Sequence, residues 1–224
     1  AGRGRRGRVW DSPIASGLCL SLLWSSLRTP AQLMGFSLAV GVAVARALEH
    51  QGFPTLGLKW PNDVYYDGRK LAGILVELAA HKGELTHCVI GVGINVQVPP
   101  GELTGTAVPW IDLASIKRTM GEGNFPSRNR LASGVLAELL RMAQQFDEAG
   151  LAPFLSDWQQ RDVLVNRSVI AYLPGERVVQ GIASGINPMG AFCLQEGDQL
   201  LQLASGEVSL RLVGGNPIYI PPDP

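Results

Sequence analysis

The chain has 224 residues, 46% of them hydrophobic and 17% charged, with 19 basic side chains balanced by 19 acidic ones. That composition sustains a packed core and excludes a disordered or collagen-like chain. Zero net charge excludes a global positive field for holding nucleic acid and leaves only a local patch. The three cysteines, Cys19, Cys88 and Cys193, are far apart and odd in number. They argue against a disulfide framework or a CxxC zinc site and suit a reducing compartment. No secretory leader is visible at the start of the chain, and apolar stretches such as "FSLAVGVAVARAL" look too short and interrupted to span a bilayer. The expectation is a cytoplasmic protein.

In chain order, an arginine- and glycine-rich opening, "AGRGRRGRVW", precedes a short apolar run at 17–24 that reads as a buried strand. A helix is predicted from Pro30 to a stop at Gly52, apolar nearly all round and so buried against a sheet. "TLGLKW" reads as a strand ending at Pro61, and the next segment as a hairpin turning at Asp67-Gly68. "LTHCVIGVGINV" is a further strand. Glycine- and proline-rich loops are predicted around 99–100 and 121–126. An amphipathic helix follows, capped by Ser127 and stopped at Gly150, and then a shorter one over "LAPFLSDWQQRD". From about Val165 five short strands at tight spacing predict a small β-barrel, and "PIYIPPDP" reads as a loose tail.

Three motifs could carry chemistry. Gly2-Arg3-Gly4-Arg5-Arg6-Gly7 matches G-x-G-x-x-G in letters, but no strand precedes it and no helix follows at once, so it is not a dinucleotide fingerprint. It is a pliable loop of guanidiniums that can close over an anion; the competing reading is a solvated basic terminus. The second motif is Lys59-Trp60-Pro61-Asn62-Asp63, followed by Arg69-Lys70-Leu71-Ala72-Gly73. A lysine, a carboxylate and an amide converging at strand ends suit a nucleotide or carboxylate site, or equally a hairpin with a salt bridge. The third is Gly91-Val92-Gly93-Ile94-Asn95. Two glycines inside an apolar strand indicate a close approach by ligand or backbone, or a β-bulge. No Walker A loop is present, and no histidine sits at metal-ligand spacing with a cysteine.

Taken together and in this order, "GRGRRGRxW", "KWPNDVYYDGRKLAGILVE" and "GVGINV" resemble the catalytic core of bacterial biotin protein ligases. The resemblance runs on through "GLAPFLSDWQQRD" to "SGEVSLR" and so spans nearly the whole chain. It implies an α+β fold: a mixed β-sheet flanked by helices, like that of class II aminoacyl-tRNA synthetases and biotin ligases, with a small C-terminal SH3-like barrel. The implied organisation is a catalytic domain over 1–162, the barrel over 163–215 and a tail over 216–224. The implied reaction has two steps, in which ATP activates biotin to biotinyl-5′-AMP and biotin then passes to a lysine of a carboxylase carrier domain, as in acetyl-CoA carboxylase. Biotin, ATP and Mg²⁺ are substrates rather than a resident prosthetic group, and no protein cluster is expected to hold a metal.

The resemblance also assigns roles. Lys70 bridges the biotin carboxylate and the phosphate, with Arg5 and Asp63 completing the catalytic set. Gly2, Arg3, Gly4 and Arg5 form a loop that folds over the adenylate. Gly91 and Gly93 let the biotin bicycle approach the backbone. Trp10, Lys59, Asn62 and Asn95 serve the nucleotide, with Trp10 packing on the adenine, and Glu207 and Arg211 of the barrel face the same end. Members of the family have more sequence ahead of the glycine-rich loop, so the resemblance implies that the chain starts inside the domain, with no room for a DNA-binding helix-turn-helix. Three alternatives stay open: a lipoate or octanoyl ligase of the same wider fold, an inactive fragment, and a nucleic-acid-binding module. An exposed sheet edge could also pair two copies.

Overall fold

The computed structural model describes residues 2–7, 9–103, 108–121, 125–204 and 208–215. The opening loop forms a small antiparallel ribbon, β1 (Gly2–Arg3) with β2 (Val9–Trp10), around a single 3₁₀ turn. A five-stranded sheet follows, built from β3 (Gly17–Ser26), β4 (Gly57–Lys59), β5 (Asp63–Tyr66), β6 (Arg69–Lys82) and β7 (Leu85–Asn95) in the order β3-β7-β6-β5-β4. Its ladders are antiparallel, and among the described residues parallel pairing is confined to two isolated bridges, Leu58 with Asp162 and Lys70 with Trp110. The hairpin between β5 and β6 turns at Asp67 and Gly68, both at positive φ, as the Asp-Gly pair predicts.

One face of this sheet is covered by α1 (Phe36–Glu49), which packs in turn against α3 (Arg128–Ala149). Strand alternation decides which residues meet the helices. On β7 the even positions Cys88, Ile90, Val92 and Ile94 are buried there, while Val89, Gly91 and Gly93 point to the opposite face and are only half-buried. α1 is buried over most of its circumference, from Phe36 through Leu48. With the 3₁₀ turn before it, the 20 residues Pro30–Glu49 are long and apolar enough by composition to cross a membrane, unlike the shorter stretch considered from sequence. Two thirds of that window is buried inside the protein, so its apolarity builds the core.

α3 starts at Ser127, whose hydroxyl accepts the Arg130 amide at 3.3 Å, and stops at Gly150, φ +65°. Phe146 of α3 meets Phe36 edge-on at 4.8 Å. Two shorter helices, α2 (Leu113–Thr119) and α4 (Leu155–Gln160), complete the layer. The five C-terminal strands are present as expected: β8 (Ser168–Tyr172), β9 (Val178–Ile186), β10 (Phe192–Glu196), β11 (Gln199–Leu203) and β12 (Ser209–Leu212). They pair antiparallel in the order β11-β10-β9-β8-β12 around Val169, Ala171, Phe192 and Leu194. Gly181 permits the curl of this small sheet, since a Cβ there would stand 2.3 Å from the Gln195 carbonyl oxygen.

Candidate functional site

The face of the large sheet away from the helices is the floor of a cavity of about 490 Å³. Its glycines decide what can lie against that floor. Gly73 of β6 lies in register with Gly93 of β7, and Gly91 with Leu75. A Cβ on Gly73 would come within 2.8 Å of the Trp10 ring, and one on Gly93 within 2.7 Å. The indole therefore lies flat against bare backbone, and the β1–β2 ribbon is drawn over the floor with it. Gly91 is different: its bare Cα leaves room beside the Leu75 carbonyl, 3.3 Å from an added Cβ.

The polar end of the cavity is assembled by β5 and β6. The Lys70 ammonium sits 2.7 Å from Asp63 and 5.4 Å from the Trp10 ring centroid. Both partners are about four-fifths buried, a setting in which the pair is screened less than on the surface. Asn62 accepts from Arg5 Nη1 at 3.4 Å and donates to the Ile74 carbonyl at 2.6 Å. Its own carbonyl receives the Ile74 amide at 2.9 Å. Asn62 is thus fastened to β6 on both sides and holds the arginine loop. Next door, Tyr65 is 1% exposed and burial, with the Asp63 charge, raises its pKa, so it stays a neutral phenol.

Residues 109–112, for which the sequence predicts no element, close the remaining wall. Lys70 exchanges backbone hydrogen bonds with them, donating to Pro109 O at 2.9 Å and accepting from Ile111 N at 3.0 Å. Asn95 donates to the Ile111 carbonyl at 3.1 Å. Asp112, 2% exposed, caps α2 by accepting the Ser115 amide and also accepts the Val98 amide, both at 2.7 Å. Trp110 lines the cavity, its indole donating to Leu103 O at 3.2 Å.

Of the residues singled out in sequence, Gly2, Arg3, Gly4, Arg5, Trp10, Asn62, Asp63, Lys70, Gly91, Gly93 and Asn95 all line this one cavity. Lys59 and Arg211 are not among its lining residues. Lys59 stands over the Tyr65 ring at 5.5 Å, and Arg211, exposed on β12, stands over Tyr172 at 5.5 Å. Glu207 lies outside the described residues. Two expectations meet a different local geometry: the space above Gly93 holds Trp10, and the Asn95 amide is engaged with the protein backbone. Gly73, Cys19, Leu75 and Trp110 also line the cavity, none of them given a site role from the sequence. Gly73 carried a usable signal, being the one glycine of an apolar strand that pairs with the strand bearing Gly91 and Gly93. Among the described residues, no group of three or more His, Cys, Asp or Glu could hold a metal ion.

The chain that carries this cavity is similar to known proteins along most of its length. Residues 1–95 match the biotin/lipoate A/B protein ligase family, and residues 165–211 match the biotin protein ligase C-terminal domain. The bifunctional ligase/repressor BirA of Escherichia coli (strain K12) is 39% identical over 211 residues, 94% of this chain and 64% of that protein. The chain therefore spans a little under two thirds of that relative's length. The biotin--[acetyl-CoA-carboxylase] ligase of Mycobacterium tuberculosis is 36% identical over 93% of this chain and 74% of its own length. The biotin protein ligase of Aquifex aeolicus, solved in complex with biotin and ATP, superposes with a TM-score of 0.76 at 28% identity, covering 94% of this chain and 84% of that one. By descent as well as by fold, then, this chain belongs to the biotin protein ligase family.

Proposed function

We propose that the chain activates biotin with ATP and passes it to one lysine of a carrier domain such as that of acetyl-CoA carboxylase. Residues 1–162 act as the catalytic unit and 163–215 as the accompanying barrel. The observation that carries this reading is the polarity of the cavity. Its floor is glycine and apolar side chain, suited to an uncharged ring system. Its end carries Lys70, Arg5, Asn62 and Asp63, suited to a carboxylate meeting a phosphate. The named partners of the relatives, biotin, ATP and acetyl-CoA carboxylase, agree with that shape.

In the first step a biotin carboxylate oxygen attacks the α-phosphorus of ATP, and pyrophosphate leaves with the electron pair of the broken P–O bond. Two anions are brought together, so the barrier is largely electrostatic. Lys70 neutralises the charge that builds between carboxylate and phosphate, and Arg5 with the rest of the glycine-rich loop screens the mixed anhydride from water. Trp10, Asn62 and Asn95 line the nucleotide's side, and Lys59 and Arg211, which stand over Tyr65 and Tyr172, take no part in it. Mg²⁺ arrives with ATP. In the second step the carrier lysine amine attacks the acyl carbon, AMP departs, and one proton is released. The free thiols Cys19, Cys88 and Cys193 suit a cytoplasmic setting.

The test is mass spectrometry of a purified acceptor domain incubated with the chain, biotin, ATP and Mg²⁺. One biotin adduct on one lysine is expected, and an equal excess of lipoate should not reduce it. A lipoyl adduct in place of the biotinyl one would overturn the reading.

A further inference from the structure

We propose that Trp60 is a positioning residue through which the barrel sets the polar end of the cavity, an inference that rests on the function proposed above. Trp60 is 2% exposed, and its indole N–H donates to the Gly190 carbonyl at 3.1 Å. Its ring lies 5.4 Å from Phe192 of β10. Gly190 ends the turn between β9 and β10, at φ +81°. That turn is seated in a socket of the larger unit: a Cβ on Gly190 would stand 3.0 Å from Gly35, Leu38 and Leu151 alike. Asn187 shapes the turn by accepting the amides of Met189 at 2.9 Å and Ala191 at 3.0 Å.

From Trp60 the chain runs straight to the site. Asn62 follows two residues on and is fastened to Ile74 and Arg5; Asp63, the partner of Lys70, follows three residues on. The strand before Trp60 is gripped from the same side. Leu58 of β4 donates to Arg161 O at 2.7 Å and accepts from Val163 N at 3.0 Å, both in the segment that leads into the barrel. A shift of the barrel would leave the buried indole N–H and the Gly190 carbonyl without partners, which is costly for each group. Barrel and site loop therefore hold position together, and the barrel reaches the reaction centre through Trp60 rather than through a side chain of its own.

The test uses Trp60→Phe, which keeps a ring against Phe192 but removes the donor, and Asn187→Ala, which loosens the turn from the barrel side. Hydrogen exchange is read at the Ile74 amide, which donates to Asn62 O. Its protection should fall about tenfold in each variant, with the β3–β7 ladder unchanged. The double variant should add little to either single one, because both act on the same contact. In adenylate formation the KM for ATP should rise about tenfold and the KM for biotin should stay put. Unchanged Ile74 protection, an equal loss at every amide, or equal shifts in both KM values would overturn the proposal. If Trp60→Phe does not fold, Asn187→Ala alone decides it by the same readings. A wild-type chain that forms no biotinyl-adenylate would count against the function reading, while exchange at Ile74 still decides the role of Trp60.

Discussion

At Lys70 the ammonium already has an anionic neighbour, Asp63 at 2.7 Å, and an aromatic face, Trp10 at 5.4 Å. On the function proposed above, a carboxylate and a phosphate entering here would develop new negative charge beside a cation that is already in place and needs little reorganisation. Lys70→Ala is therefore expected to slow adenylate formation by about a hundredfold or more, on the order of 3 kcal/mol of transition-state stabilisation, read as pyrophosphate release. Lys70→Arg should restore only part of this, because a planar fork does not occupy the site of a compact ammonium. The glycine floor permits a second residue-scale test. In Gly93→Ala the new methyl would stand 2.7 Å from Trp10, so the indole has to move. Ligand affinity should drop about tenfold with a near-normal melting temperature. The fluorescence change that reports it should vanish in a Trp10→Phe background.

Among the elements, α2 shows how much can hang on one cap. Asp112 joins Val98, three residues beyond β7, to the first turn of α2, and residues 109–111 just before it pair with Lys70. Asp112→Ala leaves the Val98 amide buried without an acceptor and α2 uncapped, a loss of about 2–4 kcal/mol. Chemical denaturation should show that loss, and Asp112→Asn should recover about half of it. This element was not read from the sequence, although Asp112 and Ser115 carry a cap signature. Seven residues are too few for a helical period to stand out, and the flanking Gly- and Pro-rich text reads as loop. Where period and punctuation agree, as from Ser127 to Gly150 or across Asp67-Gly68, sequence and structure coincide. The same division holds in the cavity. Lys70 and Asn62 were visible as polar residues at strand ends and the turn between them, and Gly91 and Gly93 as small residues breaking an apolar strand. Trp110 and Leu75 were not, because a cavity wall made of ordinary hydrophobic residues is indistinguishable in sequence from core.

For the whole molecule, the junction between sheet and barrel carries a charge with little to gain from being there. Asp162 is 8% exposed, one oxygen accepts the Leu164 amide at 2.9 Å, and the other has no hydrogen-bond partner among the described residues. Burial pushes its carboxyl up to about 6, against the lowering effect of the Leu164 and Val165 amides. The sign follows from proton counting. Between the unfolded value near 4 and the folded value near 6, the folded chain holds the extra proton, so stability falls as pH rises through that window. Below about 4 both states are protonated, and above about 6 both are charged, with the folded one carrying a constant penalty of about 2–3 kcal/mol. Asp162→Asn keeps an oxygen for the Leu164 amide and removes the charge. Thermal unfolding of the variant should therefore match wild type near pH 4 and exceed it by several degrees at pH 7.5. A gain of equal size at both pH values would mean that packing at the junction, rather than the buried charge, separates the two proteins.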